Sequence, residues 1–129
     1  MLTIAMQNYL ETIYELATEN MNAKSGVRSS DIASKLNVSK ASVNNAISVL
    51  VENGFVTNER YQDVYLTEEG IQTAELLCRR HEIIKELFTR VLGIEGDIAD
   101  EDACAIEHVI SGRAIQKMSE YLKKTKGSE

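Results

Sequence analysis

The sequence predicts a mainly α protein, with an N-terminal winged helix-turn-helix followed by a helical dimerisation domain. Three observations carry this. Proline is absent from all 129 residues and aromatics make up only 5%, a mix that favours uninterrupted helices over a turn-rich sandwich. Two short segments with serine-rich starts are separated by a tight turn and followed by two β-prone runs. A long apolar stripe then runs from Ile71 to Val91 at helical spacing. A chain of this length holds one compact unit or two very small ones, which excludes large barrels and doubly wound dinucleotide folds.

The first helix is expected over about residues 4–19, where Met6, Leu10, Ile13, Tyr14 and Ala17 recur at helical spacing. Asn20, Asn22 and Lys24-Ser25-Gly26 end it. Ser29-Ser30-Asp31 offers capping chemistry for a short helix over 32–36, and Ser39 caps a third. In that third helix Val43, Ala46, Ile47 and Leu50 make one buried stripe, until Asn53-Gly54 closes it with a residue suited to left-handed backbone. Phe55-Val56-Thr57-Asn58 and Val64-Tyr65-Leu66-Thr67 form a hairpin, the wing. Thr67-Glu68-Glu69 starts a long helix, suited to a dimer strut, with apolar positions Ile71, Ala74, Leu77, Cys78, Ile84, Leu87, Phe88 and Val91, ending at Gly93. Asp97, Asp100 and Asp102 crowd the start of a further helix reaching Ile110, and Ser111-Gly112 separates it from a last one over about 113–124. The boundary falls near Gly70, giving a winged-helix module over 1–70 and a helical module over 71–129.

Charge restricts the partners. The formal net charge is −6, with five bases and nine acids over 1–70 and nine bases and eleven acids over 71–129. Neither half is basic, so binding to a polyanion needs a local surface and some agent to offset acidity. The N-terminus lacks a basic n-region, with an acid already at Glu11, and no apolar run reaches membrane-spanning length. A cytoplasmic protein with no membrane partner is expected. Cys78 and Cys104 are too few for a disulfide framework and read as core thiols, reactive thiols or metal ligands.

The third helix is the candidate reading head. At about 100° per residue, Ala41, Asn45 and Ser48 oppose the Val43 stripe, with Asn44 at the edge. Asparagine pairs bidentately with adenine, small residues allow close approach to a groove floor, and Ser39 or Lys40 at the helix start can hold a phosphate. The alternative is a solvated polar face. The candidate contact set is Arg28, Ser39, Lys40, Ala41, Ser42, Asn44, Asn45, Ser48, Arg60 and Tyr61.

Cys104-Ala105-Ile106-Glu107-His108 is the sharper motif. On a helix these spacings bring a thiolate, a carboxylate and an imidazole to one face, three metal donors of mixed softness. The alternative is an inward cysteine with a surface Glu and His. Asn8 and Glu11 share an i, i+3 relation on the first helix, His81 lies midway along the long helix, and the 95–107 stretch carries six acids and no base. A cation suits that segment. Cys78 lies three residues before His81, but its place on the apolar stripe favours core packing.

Tyr9-Leu10-Glu11-Thr12-Ile13-Tyr14-Glu15-Leu16, Asp31-Ile32-Ala33, Leu36, Val43, Gly54, Leu66-Thr67, Gly70, Arg80-His81, Ala103-Cys104 and Glu107-His108 together resemble the diphtheria toxin repressor and manganese transport regulator family, over about residues 6 to 121. The resemblance implies a dimeric winged-helix repressor that Fe(II) or Mn(II) activates to bind a palindromic double-stranded operator and shut off metal-uptake genes. In length the chain resembles the shorter manganese branch, without the SH3-like domain of many iron-type members. Carried over by position, Glu107, His108 and His81 match ligands of both branches, Glu11 matches the manganese branch, and Cys104 matches the iron branch. Asn8 departs from the family's usual Asp or Met, and Lys85 and Asp100 stand where the iron branch has Glu and His. A thiolate tilts preference toward Fe(II), with Zn(II), Co(II) and Ni(II) as occupants in vitro. Neutral Asn8 cannot bridge two ions as a carboxylate does, which implies weaker binding or one dominant ion per subunit.

Two other readings compete. One is a winged-helix regulator that senses a small organic ligand or thiol oxidation through Cys104. The other is a hydrolase with Cys104 as nucleophile and His108 as base, which lacks an accompanying Gly-rich oxyanion loop.

Overall fold

The computed structural model describes residues 2–59 and 62–126, and divides into two compact units, Met1–Glu75 and Leu76–Glu129. Arg60 and Tyr61, assigned to the DNA contact set from sequence, lie outside the described residues.

In the first unit, α1 (Ile4–Asn20) starts on Thr3, whose hydroxyl accepts from the Met6 amide at 3.2 Å. The second helix, α2 (Ser29–Leu36), begins earlier than the sequence suggests: Ser29 is already helical and Arg28, in extended backbone, precedes it with no side-chain cap. Its end is set by Asn37, left-handed at φ 54°, while the Val38 amide reaches back to the Ala33 carbonyl at 3.1 Å. The expected cap of α3 (Lys40–Glu52) is present, with Ser39 Oγ accepting from the Ser42 amide at 3.1 Å. Gly54 adopts the left-handed φ of 79° that turns the chain into β1 (Val56–Asn58). This strand pairs antiparallel with β2 (Val64–Leu66) in the register Val56↔Leu66. Val27 adds an isolated bridge to Val64 through two hydrogen bonds of 2.9 and 2.8 Å, which ties the segment before α2 to the wing.

The stripes foreseen from spacing meet in one core: Leu10, Ile13 and Ala17 of α1, Ile32 of α2, Val43, Ile47 and Leu50 of α3, Val56, Val64 and Leu66 of the wing, and Ile71 and Ala74. With three helices and the hairpin each burying one face, the opposite face of α3 is left to solvent. Thr67 joins the wing to α4 (Glu68–Glu86): its hydroxyl donates to the Gly54 carbonyl at 2.7 Å and accepts from the Gly70 amide at 3.1 Å.

In the second unit, α4 passes into a π-helical turn, Leu87–Val91, instead of continuing as regular helix to Gly93. Thr89 Oγ1 donates to the Lys85 carbonyl at 3.0 Å, a side-chain bond that competes with the backbone ladder there. Gly93, at φ 68°, ends the segment. The next helix, α5 (Gly96–Ile106), stops short of the expected Ile110; the amides of Val109 and Ile110 both donate to the Ile106 carbonyl at 3.0 Å as the chain turns. Last comes α6 (Gly112–Lys126). Leu77, Ile83, Ile84, Ala99, Ala103 and Leu122 are the buried apolar residues of this unit. Arg90 donates to the Leu122 carbonyl at 2.9 Å, anchoring the end of α6. Among the described residues, no helix is long and apolar enough to cross a membrane.

Candidate metal centre and nucleic-acid interface

Within the second unit the site builds outward from Glu107. It is 1% exposed, the only charged residue among the described residues that is buried. A carboxylate withdrawn from water is costly unless positive charge or donors compensate it. Glu107 Oε1 lies 3.2 Å from His81 Nδ1, and Oε2 is closed off from solvent. The other ring nitrogen of His81, Nε2, is 2.8 Å from Asp100 Oδ1, and Lys85 Nζ stands 3.2 Å from that same oxygen. Cys104 Sγ is 3.7 Å from His81 Nδ1. The ligand atoms of His81, Cys104 and Glu107 therefore all fall within 4.8 Å of one another.

Local sequence explains the placement. Cys104 lies on the last turn of α5, and Glu107, its C-cap, keeps right-handed helical backbone. Spacing of three residues thus still carries its side chain to the cysteine's face. Arg80, one residue before His81, donates to the carbonyls of Glu107 and Ile110 at 3.4 and 3.3 Å and so holds the exposed end of α5 in place. The alternative of an inward cysteine and surface glutamate is reversed: Cys104 is exposed and Glu107 buried, because Ala99 and Ala103 take the inward stripe of α5. Cys78 is half-buried on α4.

His108 follows the helix end, and its ligating nitrogen lies within 4.8 Å of the Glu107 carboxylate. Burial pushes its imidazole below the ordinary value of 6.5. At neutral pH the ring is therefore uncharged, the form that donates a lone pair to a metal. Because the folded value is the lower one, the unfolded chain takes up the proton first. The stability owed to neutral His108 is complete above 6.5 and is lost as pH falls from there through the folded-state value. We expect the melting temperature to drop between about pH 7.5 and about pH 5.5, and to drop less in His108→Asn, by calorimetry in chelator.

Asn8 and Glu11 belong to α1 of the first unit, Asn8 exposed and Glu11 half-buried. Asp100, one acid of the 95–107 run and a departure from the iron branch, is a site residue that the Cys-Glu-His motif does not single out. Its signal was spacing: it stands four residues before Cys104 on α5, and so faces the same way. The hydrogen bonds from His81 and from Lys85 hold its carboxyl below the usual carboxylate range.

The donor set, an imidazole nitrogen, a thiol sulfur and a buried carboxylate oxygen, suits a divalent transition ion of intermediate softness, and not Ca(II) or Mg(II), which take oxygen alone. His81, Cys104, Glu107 and His108 are the residues of this unit that would hold it.

In the first unit, Ser39, Lys40, Ala41, Ser42, Asn44, Asn45 and Ser48 are all exposed, as is Arg28. Arg28, Lys40, Asn44, Asn58 and Gln62 help line one concavity of about 580 Å³ between the start of α2, α3 and the wing, with Asp63 as its acid. Lys35 does not serve that face, being held by Glu15 at 3.0 Å and Glu19 at 3.3 Å. Those bonds, chiefly the one from Glu15, raise its ammonium above the ordinary value and offset two acids of α1.

Two protein-family models match successive parts of the chain. Residues 1–64 match the model of the iron dependent repressor N-terminal DNA binding domain, and residues 67–128 that of the iron dependent repressor metal binding and dimerisation domain. The chain is 30% identical over 122 residues to an uncharacterized HTH-type transcriptional regulator, MJ0568, of Methanocaldococcus jannaschii, covering 95% of each. It is 33% identical over 120 residues to the HTH-type transcriptional regulator MntR of Shouchella clausii, covering 93% of this chain and 80% of that one. Among solved structures, the T. acidophilum IdeR crystal structure matches 95% of this chain with a TM-score of 0.77 at 28% identity, and the chain spans 56% of its length. The protein belongs to the iron-dependent repressor family, a family of metal-dependent, DNA-binding transcriptional regulators. Its members are regulators and not enzymes, which sets aside the hydrolase reading of Cys104 and His108.

Proposed function

We propose that this protein is a homodimeric, cytoplasmic repressor of iron- or manganese-uptake genes, activated for operator binding by Fe(II) or Mn(II). The observation that carries the reading is the buried Glu107 carboxylate beside His81 and Cys104, a cluster that supplies three types of donor. Asn8 and Glu11 of α1 supply the remaining oxygen donors. A bound divalent ion supplies positive charge against Glu11, Glu107 and the Cys104 thiolate. In its absence the carboxylates of Glu11 and Glu107 repel, and the winged unit has no fixed position from which to read. With them neutralised, α1 is tied to the end of α5 and the two reading heads of the dimer take the spacing of successive major grooves. The exposed amides of Asn44 and Asn45 read base edges, Ser48 and Ala41 allow close approach, and Arg28, Ser39, Lys40 and Ser42 hold phosphates, with Arg60 and Tyr61 completing the proposed contact set. Cys104 favours Fe(II) over Mn(II).

The test is anaerobic titration with Fe(II) and Mn(II) in parallel, reading metal uptake and retention of duplexes selected from a random pool. Retention that rises only as the site fills supports the reading; equal retention in chelator contradicts it and favours a sensor of organic ligands or oxidants. On the selected duplex, Lys40→Ala is expected to weaken binding across all sequences and to lower the slope of log affinity against log salt by about 1. Asn44→Ala is expected to cost about 1–3 kcal/mol and relax preference at one base position. A gel-shift series at several salt concentrations distinguishes the two.

A further inference from the structure

His81 has two ring nitrogens and two carboxylate neighbours, and only one of those carboxylates is sealed from water. Nδ1 faces Glu107 Oε1 at 3.2 Å and Cys104 Sγ at 3.7 Å, while Nε2 meets Asp100 Oδ1 at 2.8 Å on the solvent side. Lys85 Nζ holds that same oxygen at 3.2 Å from the next turn of α4. An imidazole coordinates through one nitrogen, and which one is set by the hydrogen bond the other makes.

We infer that Asp100 is a positioning residue for the metal centre: by accepting a hydrogen bond from His81 Nε2–H it fixes Nδ1 as the nitrogen turned toward Cys104 and Glu107. This deepens the metal-sensing function proposed above and rests on it. Three features support it. The short contact falls on the ring nitrogen farther from the cysteine, so the bond and the donor position do not compete. The carboxylate is anchored, since Lys85, four residues along α4 from His81, grips it from the other side. Asp100 also shares a face of α5 with Cys104, so helix geometry alone sets its distance from the thiol. Carboxylate–histidine pairs of this kind also make the ring a stronger donor, and losing one commonly weakens metal affinity about 10–100-fold.

The test uses the full-length protein, Zn(II) as a diamagnetic probe and ¹⁵N-labelled histidine. In the wild type, His81 Nε2 is expected to carry a proton with and without Zn(II), and Nδ1 is expected to show the coordination shift. Asp100→Leu is expected to bind Zn(II) about 10–100-fold more weakly, with Asp100→Asn between the two because its amide oxygen still accepts. Asp100 is half-exposed, so both variants keep the fold, which circular dichroism verifies. An unprotonated Nε2, Zn(II) on Nε2, or wild-type affinity in Asp100→Leu each overturns the inference while leaving the metal centre itself standing. A wild type in which no ring nitrogen of His81 or His108 responds to Zn(II) overturns the inference and the metal-sensing function together.

Discussion

Glu107→Gln is expected to lower affinity for divalent ions by about 100-fold or more while leaving the metal-free protein as stable as the wild type. The two effects separate because one carboxylate serves both. In the metal-free protein Glu107 is a buried charge beside His81, and an amide of the same shape relieves the desolvation cost while its N–H or its carbonyl pairs with the facing ring nitrogen. For the metal the same change removes an anionic donor at the centre of the cluster. Stabilisation by a ligand follows its saturation: a wild type held at an ion concentration near 100 times its dissociation constant gains about 2.7 kcal/mol. A variant bound 100-fold more weakly gains only about 0.4 kcal/mol at the same concentration, close to nothing on a melting curve. Calorimetry of both proteins with Mn(II) and with chelator measures this directly. Equal metal-induced stabilisation would place the ion elsewhere.

Gly70→Ala is expected to destabilise the winged unit by about 2–4 kcal/mol, against the general rule that alanine improves a helix by about 1 kcal/mol over glycine. A β-carbon at residue 70 would collide with the backbone carbonyl oxygen of Phe55 and would also press on Leu66 Cδ2 at 3.2 Å. The carbonyl cannot move aside cheaply, because it accepts the Thr67 amide at 3.0 Å. Thr67 in turn binds Gly54 and Gly70, so relief of the clash undoes the joint between wing and α4. Gly96→Ala is the control: it starts α5, a β-carbon there meets nothing within 4 Å, and a neutral or slightly stabilising change is expected. Urea denaturation of the two variants checks the contrast.

Much of the fold was legible because local chemistry and packing agree. The Val43, Ala46, Ile47, Leu50 stripe, the Ser39 cap and the Gly54 terminus each restrict the same helix independently, and the structure places α3 where they point. Disagreements arise where a distant partner outweighs local preference. Serines at 29 and 30 resemble caps, yet helix starts at Ser29, after Val27 has been tied to Val64 by the wing. Apolar residues from Leu87 to Val91 keep helical spacing, but the backbone there runs as a π turn, which apolar spacing does not distinguish from regular helix. Spacing put Cys104 and Glu107 on one face; it could not tell which of them is buried, since that depends on where Ala99 and Ala103 pack. Nor did it expose the role of Gly70, whose reason is a carbonyl fifteen residues earlier in the chain.

In the proposed function, ion binding and operator binding are one coupled event. The most direct measurement is the Fe(II) or Mn(II) affinity of the dimer with and without a saturating duplex, beside duplex affinity with and without the ion. Linkage requires the two ratios to be equal, and the coupling proposed predicts a common factor of about 5–150. An ion that binds with the same affinity whether or not DNA is present would show that the metal does not control operator binding.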